Sequence, residues 1–357
     1  MDGVDVAMIE TDGEETITLG RTGFFPYGEA DRAALRRAVQ EAAKLTGREA
    51  RPGSLGQAEA MITLRHAEAV EAFLAAETLS PDSVDLVGFH GQTIVHQPEN
   101  RLTVQLGDGE ALSERLGIAV VYDFRADDVA QGGQGAPLVP IFHCALAAMA
   151  AFARPVAFIN IGGVANLTYV APGEDPVACD TGPGNALIDD LMRARRGLPF
   201  DRDGAVAARG NADVALVETL LEHPFFSAPP PKSLDRNGFT GTSVALLTTE
   251  DAAATLTAFT AASIALAFAH LPHPPARAIM CGGGAHNKTM MRELSHRLPC
   301  PAVPAEAFGW SSDAIEAQAF AYLAVRCQRN LPITFPMTTG VKTPSSGGRI
   351  SLRRRAV

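Results

Sequence analysis

Ala178-Cys-Asp-Thr-Gly-Pro-Gly-Asn-Ala-Leu-Ile-Asp-Asp190 is the stretch on which the reading of this chain turns. It follows an apolar run ending near Val177 and opens a helical pattern at Ala186, Leu187 and Leu191. One carboxylate, Asp180, stands where a strand would hand over to a helix. Thr181, Gly182, Gly184 and Asn185 surround it with small, turn-forming residues. Such a turn lets backbone approach a ligand closely, and a helix N-terminus aims N–H groups at negative charge. An acid beside an anion-welcoming turn suggests a base near a phosphate. The ordinary alternative is Asp180 as a helix N-cap.

Composition bounds the reading. The chain has 357 residues, enough for one large domain or two ordinary ones. Hydrophobic residues make up 46% and charged residues 20%, as in soluble globular proteins. A net charge of −10 argues against non-specific binding to nucleic acid or anionic membrane. Cys144, Cys179, Cys281, Cys300 and Cys327 are odd in number and form no C-x-x-C pair, so they read as reduced thiols. No secretory signal pattern opens the chain, and no apolar run looks long enough to span a membrane. The Ala-rich stretch Leu256–Leu271, interrupted by Thr257, Thr260, Ser263 and His270, reads as a buried helix.

In chain order, Val4–Glu10 and Glu15–Leu19 read as a hairpin turning at Asp12-Gly13. Helices are expected over Ala30–Leu45 and Gly56–Leu79. Strands Val84–Phe89, Thr103–Gly107 and Ile118–Asp123 follow, the last two separated by a helix near Glu110–Leu116. The glycine-rich connection Arg125–Pro137 reads as a boundary. A second α/β set opens with strands Val156–Gly163, Ala165–Val170 and Pro176–Asp180. Helices are expected at Leu138–Ala151, Ala186–Arg196, Val206–Leu221, Leu246–Leu271, from Asn287, and over Asp313–Gln328. The expected division is domain I over 1–135, with the C-terminal segment a candidate to complete it, domain II over 136–335, and a frayed tail over 336–357. Two α/β halves with glycine turns suit a nucleotide clamp.

Several motifs are absent: there is no P-loop, no G-x-G-x-x-G after a strand, no H-E-x-x-H and no G-x-S-x-G elbow. Phosphate would have to be held by other turns. Gly162 and Gly163, closing the run Ile159–Asn166, offer backbone N–H groups, as do Gly282, Gly283 and Gly284 at a strand-to-helix junction. Each also reads as an ordinary turn. Asp201 and Asp203 in Asp201-Arg-Asp-Gly204 suit Mg²⁺ held through water, or a solvated turn. His90, in Gly88-Phe-His-Gly-Gln-Thr93, suits a sugar hydroxyl or a structural role. Arg125 suits a substrate carboxylate or a structural ion pair.

Gly88–Thr93, Thr103–Asp108, Asp123–Arg125 with Gly132–Pro137, Ile159–Asn166, Cys179–Asn185, Phe200–Gly204, Lys232-Ser-Leu-Asp-Arg236 and Cys281–Gly284 together resemble the anhydro-N-acetylmuramic acid kinase family. The match runs from residue 1 to about Pro336. The resemblance implies the α/β two-domain fold of actin, hexokinase and heat-shock chaperone ATPases, a ribonuclease H-like fold with an interdomain nucleotide cleft. It implies a bacterial cytoplasmic enzyme of cell-wall recycling, typically a homodimer. Such enzymes use ATP, Mg²⁺ and water to convert 1,6-anhydro-N-acetylmuramic acid into N-acetylmuramic acid 6-phosphate. The resemblance makes Asp180 the catalytic base, also touching substrate. It implies ATP binding by Asp2, Gly3, Val4, Asp5, Gly162, Gly163, Asn166, Gly182, Gly184, Asn185, Gly282, Gly283 and Gly284. It implies sugar binding by His90, Gln92 and Arg125. One departure stands out: of the family's Gly-Thr-Ser-x-Asp-Gly-Val-Asp turn only Asp2–Asp5 is present, and the first strand is absent. A misplaced start or a true truncation is expected. The alternatives are a non-catalytic anhydro-sugar sensor on the same fold and another sugar kinase of the superfamily.

Overall fold

The structure is a computed structural model that describes residues 3–234, 238–239 and 244–352. Its strands and helices divide into two compact units, residues 1–149 with 316–357, and residues 150–315. The α/β class read from the sequence is what the structure has. The first segment carries β1 (Gly3–Thr11), β2 (Ile17–Pro26), α1 (Glu29–Ala42), α2 (Leu55–Ala76), β3 (Leu86–Phe89), β4 (Gln92–Gln97), β5 (Leu102–Leu106), α3 (Gly109–Leu116), β6 (Ala119–Tyr122), α4 (Ala126–Ala130) and α5 (Pro140–Met149). The middle segment carries β7 (Val156–Ile161), β8 (Val164–Val170), β9 (Val177–Pro183), α6 (Ala186–Arg196), α7 (Val214–Leu221), α8 (Thr249–Ala267), β10 (Ala278–Cys281), α9 (Lys288–Arg297) and β11 (Ala302–Pro304). The last segment carries α10 (Ile315–Gln328), α11 (Pro336–Thr339) and β12 (Arg349–Ser351).

In the second unit one sheet runs in the order β11-β10-β7-β8-β9. β11, β10 and β7 are parallel, and β7, β8 and β9 form an antiparallel meander. The strands are Val-, Ile- and Ala-rich and nearly all buried, as expected of a sheet covered on both faces. Behind β8 and β9 runs α8, buried along most of its length by small residues that let it approach the sheet. A Cβ at Gly182 would stand 2.6 Å from the Ser263 hydroxyl of α8. The helical region Thr249–His270 is long and apolar enough to cross a membrane, contrary to the expectation from composition, but it is mostly buried within this unit.

In the first unit β12-β6-β3 form one sheet, β1-β2 a hairpin and β4-β5 another. A cavity of about 380 Å³ lies between β1 and β3, lined by Gly3–Ile9 on one side and Leu86–Gln92 on the other, with α2 and α10 residues over it. At Gly88, α10 comes so near that a Cβ would stand 2.2 Å from the Phe320 carbonyl oxygen.

Several sequence expectations shift. The units divide after Met149 and after Ile315, whereas the expected boundaries fell at 135/136 and 335/336. The glycine-rich segment is not a loose linker. Buried Asp128 accepts the Gly135 N–H at 2.6 Å and the Thr339 hydroxyl at 2.6 Å, and Gln134 N–H donates to the Thr339 carbonyl at 2.6 Å. The segment beyond Thr338 is not frayed as far as Ser351: Thr334 bridges Ser345, and β12 pairs antiparallel with β6. Arg326 of α10 donates to the Gly13 carbonyl, and the Tyr322 hydroxyl to that of Glu14, holding the β1-β2 turn. The helix expected over Val206–Leu221 begins only at Val214. Ahead of it the chain makes a short turn over Ala207–Arg209, and Asp213 caps α7 through the Leu216 N–H. Arg353–Arg355 lie outside the described residues.

A methyl group at residue 88 has nowhere to go, because its neighbour is helix backbone. Gly88→Ala is expected to lower stability by about 1–3 kcal/mol, read as a fall in denaturant midpoint at unchanged slope.

Candidate active site

The site in the second unit is built at one end of the sheet, where backbone turns converge. After β7 the chain turns at Gly162 and Gly163 into β8. The start of α6 closes onto that turn: Gly184 N–H donates to the Gly163 carbonyl at 2.9 Å, Asn185 N–H to that of Gly162 at 2.7 Å, and Ala186 N–H to that of Gly163 at 3.2 Å. Asn185 also donates its side-chain amide to the Ile161 carbonyl at 3.0 Å. These donors, expected from sequence to face an anion, are instead committed to the neighbouring turn. Thr260 of α8 donates to the Gly184 carbonyl at 3.1 Å, locking the same corner from behind. Beside β7, the chain leaves β10 through Gly282, at φ +73°, where a Cβ would stand 2.2 Å from Asn160 Oδ1. At Gly284 it would stand 2.3 Å from the Ile161 side chain.

Asp180 sits inside β9, not at the strand-to-helix handover, and it caps no helix. Its neighbours are set by register: Asn160 of β7 pairs with Asn166 of β8, and Asn166 with Asp180. Residues opposite one another on adjacent strands point to the same face of a sheet. The row Asn160, Asn166, Asp180 is therefore one half-buried polar line in largely apolar strands. Asn160 was not singled out from sequence, although an Asn inside Val156-Ala-Phe-Ile-Asn-Ile161 is the signal that finds it.

Asp180 Oδ2 accepts the Leu234 backbone N–H at 2.7 Å, and its own N–H donates to the Lys232 carbonyl at 2.9 Å. Burial pushes its carboxyl up from an ordinary 3.8 to about 6, against the lowering effect of the Leu234 N–H. Burial also pushes the adjacent Cys179 thiol up to about 12, so it is neutral at physiological pH. A carboxylate with a value near 6 is ionised at pH 7 yet binds a proton more readily than a solvated aspartate, which suits a general base.

The first unit gathers a second set. His90 and Gln92, with Gly3, Val4 and Asp5, line the 380 Å³ cavity. Asp2 lies outside the described residues. Arg125 donates Nε and Nη2 to His90 Nε2 at 3.2 and 2.9 Å, and Nη1 to the Gly135 carbonyl at 2.8 Å. Burial first, and the guanidinium second, push His90 down to about 3, so its Nε2 is an acceptor at neutral pH. Arg125 makes no ion pair among the described residues. Gln92 donates to the Thr93 carbonyl at 3.2 Å.

The Asp201 carboxylate accepts the Val206 N–H at 2.8 Å and the Ala207 N–H at 2.9 Å, so each oxygen holds its own turn. Asp203 is exposed. Among the described residues no group of three or more His, Cys, Asp or Glu side chains gathers as a metal cage.

Gly282→Ala combines a left-handed backbone with a clash against Asn160, and is expected to cost about 1–3 kcal/mol, read by chemical denaturation.

The chain matches the family model for anhydro-N-acetylmuramic acid kinase over residues 1–352. A protein of that name from Rhodopseudomonas palustris (strain BisB18) is 53% identical over 352 residues, spanning 98% of this chain and 96% of its own. One from Methylobacterium nodulans is 54% identical over 358 residues, with the same coverage of each chain. Among solved structures, the (R)-2-hydroxyglutaryl-CoA dehydratase component A of Acidaminococcus fermentans aligns with a TM-score of 0.36 and 14% identity, covering 64% of this chain and 78% of that one.

Proposed function

This chain belongs to the anhydro-N-acetylmuramic acid kinase family, and we propose that it uses ATP and water to open and phosphorylate 1,6-anhydro-N-acetylmuramic acid in cell-wall recycling. The observation that carries the catalytic assignment is Asp180: a half-buried carboxylate, tuned to about 6, in line with two asparagines at the glycine-turn end of a sheet. In this reading Asp180 takes a proton from water as its oxygen bonds to the anomeric carbon. The bond from that carbon to O6 breaks, O6 bonds to the γ-phosphorus, and the bond to the β–γ bridging oxygen breaks to release ADP. Products are N-acetylmuramic acid 6-phosphate and ADP. Phosphoryl transfer leaves the protein mostly positioning and charge placement to do.

The turns at Gly162, Gly163 and Gly282–Gly284, with Asn166, are assigned to the nucleotide because a side chain at Gly162, Gly163 or Gly283 would meet nothing closer than 3.6 Å, which leaves room there. Gly182, Gly184 and Asn185 are assigned to the same corner as its frame. Gly3, Val4 and Asp5 are assigned to phosphate. His90 and Gln92 are assigned to the sugar, and Arg125 to its carboxylate, because neutral His90 orients the guanidinium without pairing its charge and no carboxylate among the described residues forms an ion pair with it. Mg²⁺ supplies charge neutralisation when bound. With Asp201 committed to its turn, Mg²⁺ would be held by the nucleotide phosphates and water, with Asp203 the exposed carboxylate of that loop.

Asp180→Asn is expected to bind the sugar nearly as the parent does and to lower ADP formation by orders of magnitude, measured with Mg·ATP and purified 1,6-anhydro-N-acetylmuramic acid. Turnover equal to the parent would remove Asp180 as the base. In the parent, kcat is expected to rise with pH through an apparent value near 6, following ionisation of Asp180. The linked stability runs the other way. A folded-state value above the ordinary 3.8 means that stability from the protonated form is full below 3.8 and is lost as pH rises through about 6. Asp180→Asn lacks that loss, so at pH 7.5 it is expected to unfold no earlier than the parent in a thermal melt.

A further inference from the structure

We propose that Lys232 is a positioning residue for Asp180: its ammonium fastens the 232–234 segment, which delivers the Leu234 N–H to the Asp180 carboxylate, to the Phe225–Phe226 turn. The proposal rests on the reading of Asp180 as the base. Lys232 works from both ends. Its backbone carbonyl receives the Asp180 N–H at 2.9 Å, while its Nζ donates to the Phe225 carbonyl at 2.8 Å and reaches that of Phe226 at 3.4 Å. The ammonium also lies over the Phe225 ring, 4.6 Å from its centroid. The anchor is firm, since Phe226 is buried and packs against Phe239 and Phe259.

The direction of Nζ separates this role from a catalytic one. Its hydrogen bonds go to main-chain carbonyls, and no ion pair with Asp180 exists among the described residues. Among the described residues, the groups set against Asp180 are Cys179 on its own strand, neutral; Asn166 on β8, uncharged; and the 232–234 segment, whose lysine ammonium points away. Among the described residues the Leu234 N–H is thus the hydrogen bond that favours the ionised carboxylate and offsets part of its desolvation. Hydrogen bonds to a carboxylate lower its proton affinity. Leu234→Pro removes that bond with the Lys232 charge left in place.

The test is the pH dependence of kcat for ADP formation from Mg·ATP and 1,6-anhydro-N-acetylmuramic acid. Lys232→Met keeps the apolar stem and removes the donors. Its acid limb is expected to move up by about one pH unit, with most of the lost rate recovered at higher pH. Lys232→Arg restores donors and is expected to bring the limb back towards the parent. Leu234→Pro deletes the N–H itself and is expected to shift the limb as Lys232→Met does, which keeps the test open if Lys232→Met does not fold. A limb unmoved in Lys232→Met, or in Leu234→Pro, overturns the proposal, whatever happens to melting temperature. Asp180→Asn, run alongside, separates the failures. If it is inactive while the limbs stay put, only the positioning role falls. If it turns over like the parent, the base reading falls and the proposal with it.

Discussion

The second unit depends on one closure. The carbonyls of Gly162 and Gly163 receive the N–H groups of Gly184, Asn185 and Ala186. A helix begins with unpartnered donors and a strand turn ends with unpartnered acceptors, and each satisfies the other here. The contact is possible only without side chains: a Cβ at Gly184 would stand 2.3 Å from the Gly162 carbonyl oxygen. Each such bond contributes roughly 1 kcal/mol net, but leaving a buried N–H or carbonyl unpaired costs more. The closure therefore fixes where β9 ends and holds the Asp180 row in register. Thr260 and Ser263 of α8 reach the same corner, so the apolar core behind the sheet and the polar line at its end are set by one piece of packing.

At Asp180 two effects oppose each other. Desolvation disfavours the charged carboxylate, and the Leu234 N–H favours it. Desolvation wins, leaving the group near 6. Full compensation by two or three donors would make a weak base locked in its ionised form, and no donor would leave a protonated acid at neutral pH. Among the described residues one backbone donor, on a side-chain-anchored segment, gives the intermediate state. That the donor comes from a distant segment, not from the turn after β9, explains why a plain reading of the local sequence favours an N-cap.

Legibility in the sequence followed the range of the interactions involved. The β1-β2 hairpin, the β7-β8-β9 meander and the glycine turns are local events, and turn chemistry with apolar patterning reports them, whereas β4 and β11 went unread. Asp180 stood out as an acid among turn formers. Long-range contacts were hidden. Gly132–Gly135 looks like a linker until Asp128 and Thr339 are brought together, and the polar C-terminal stretch looks frayed until β12 finds β6. Val206–Asp213 carries enough apolar residues for a helix, yet the Asp201 carboxylate captures the Val206 and Ala207 N–H groups and holds a turn instead. Asn160 escaped notice because its partners are on neighbouring strands.

The pairing of His90 with Arg125 shows how such contacts change the chemistry of a residue. Taken alone, a histidine after a strand offers a donor, an acceptor or a charge. Beside Arg125 and out of water it is held neutral, its Nε2 lone pair already engaged by the guanidinium. The histidine thereby orients the arginine without cancelling its charge, as a carboxylate partner would. Glu316 and Asp128 act on Arg125 only through space. An oriented, desolvated guanidinium without a carboxylate partner is costly in isolation, and an anion brought to it would relieve that cost. The first unit thus carries a positive centre placed by a neutral ring, while the second carries a negative one tuned by the Leu234 amide.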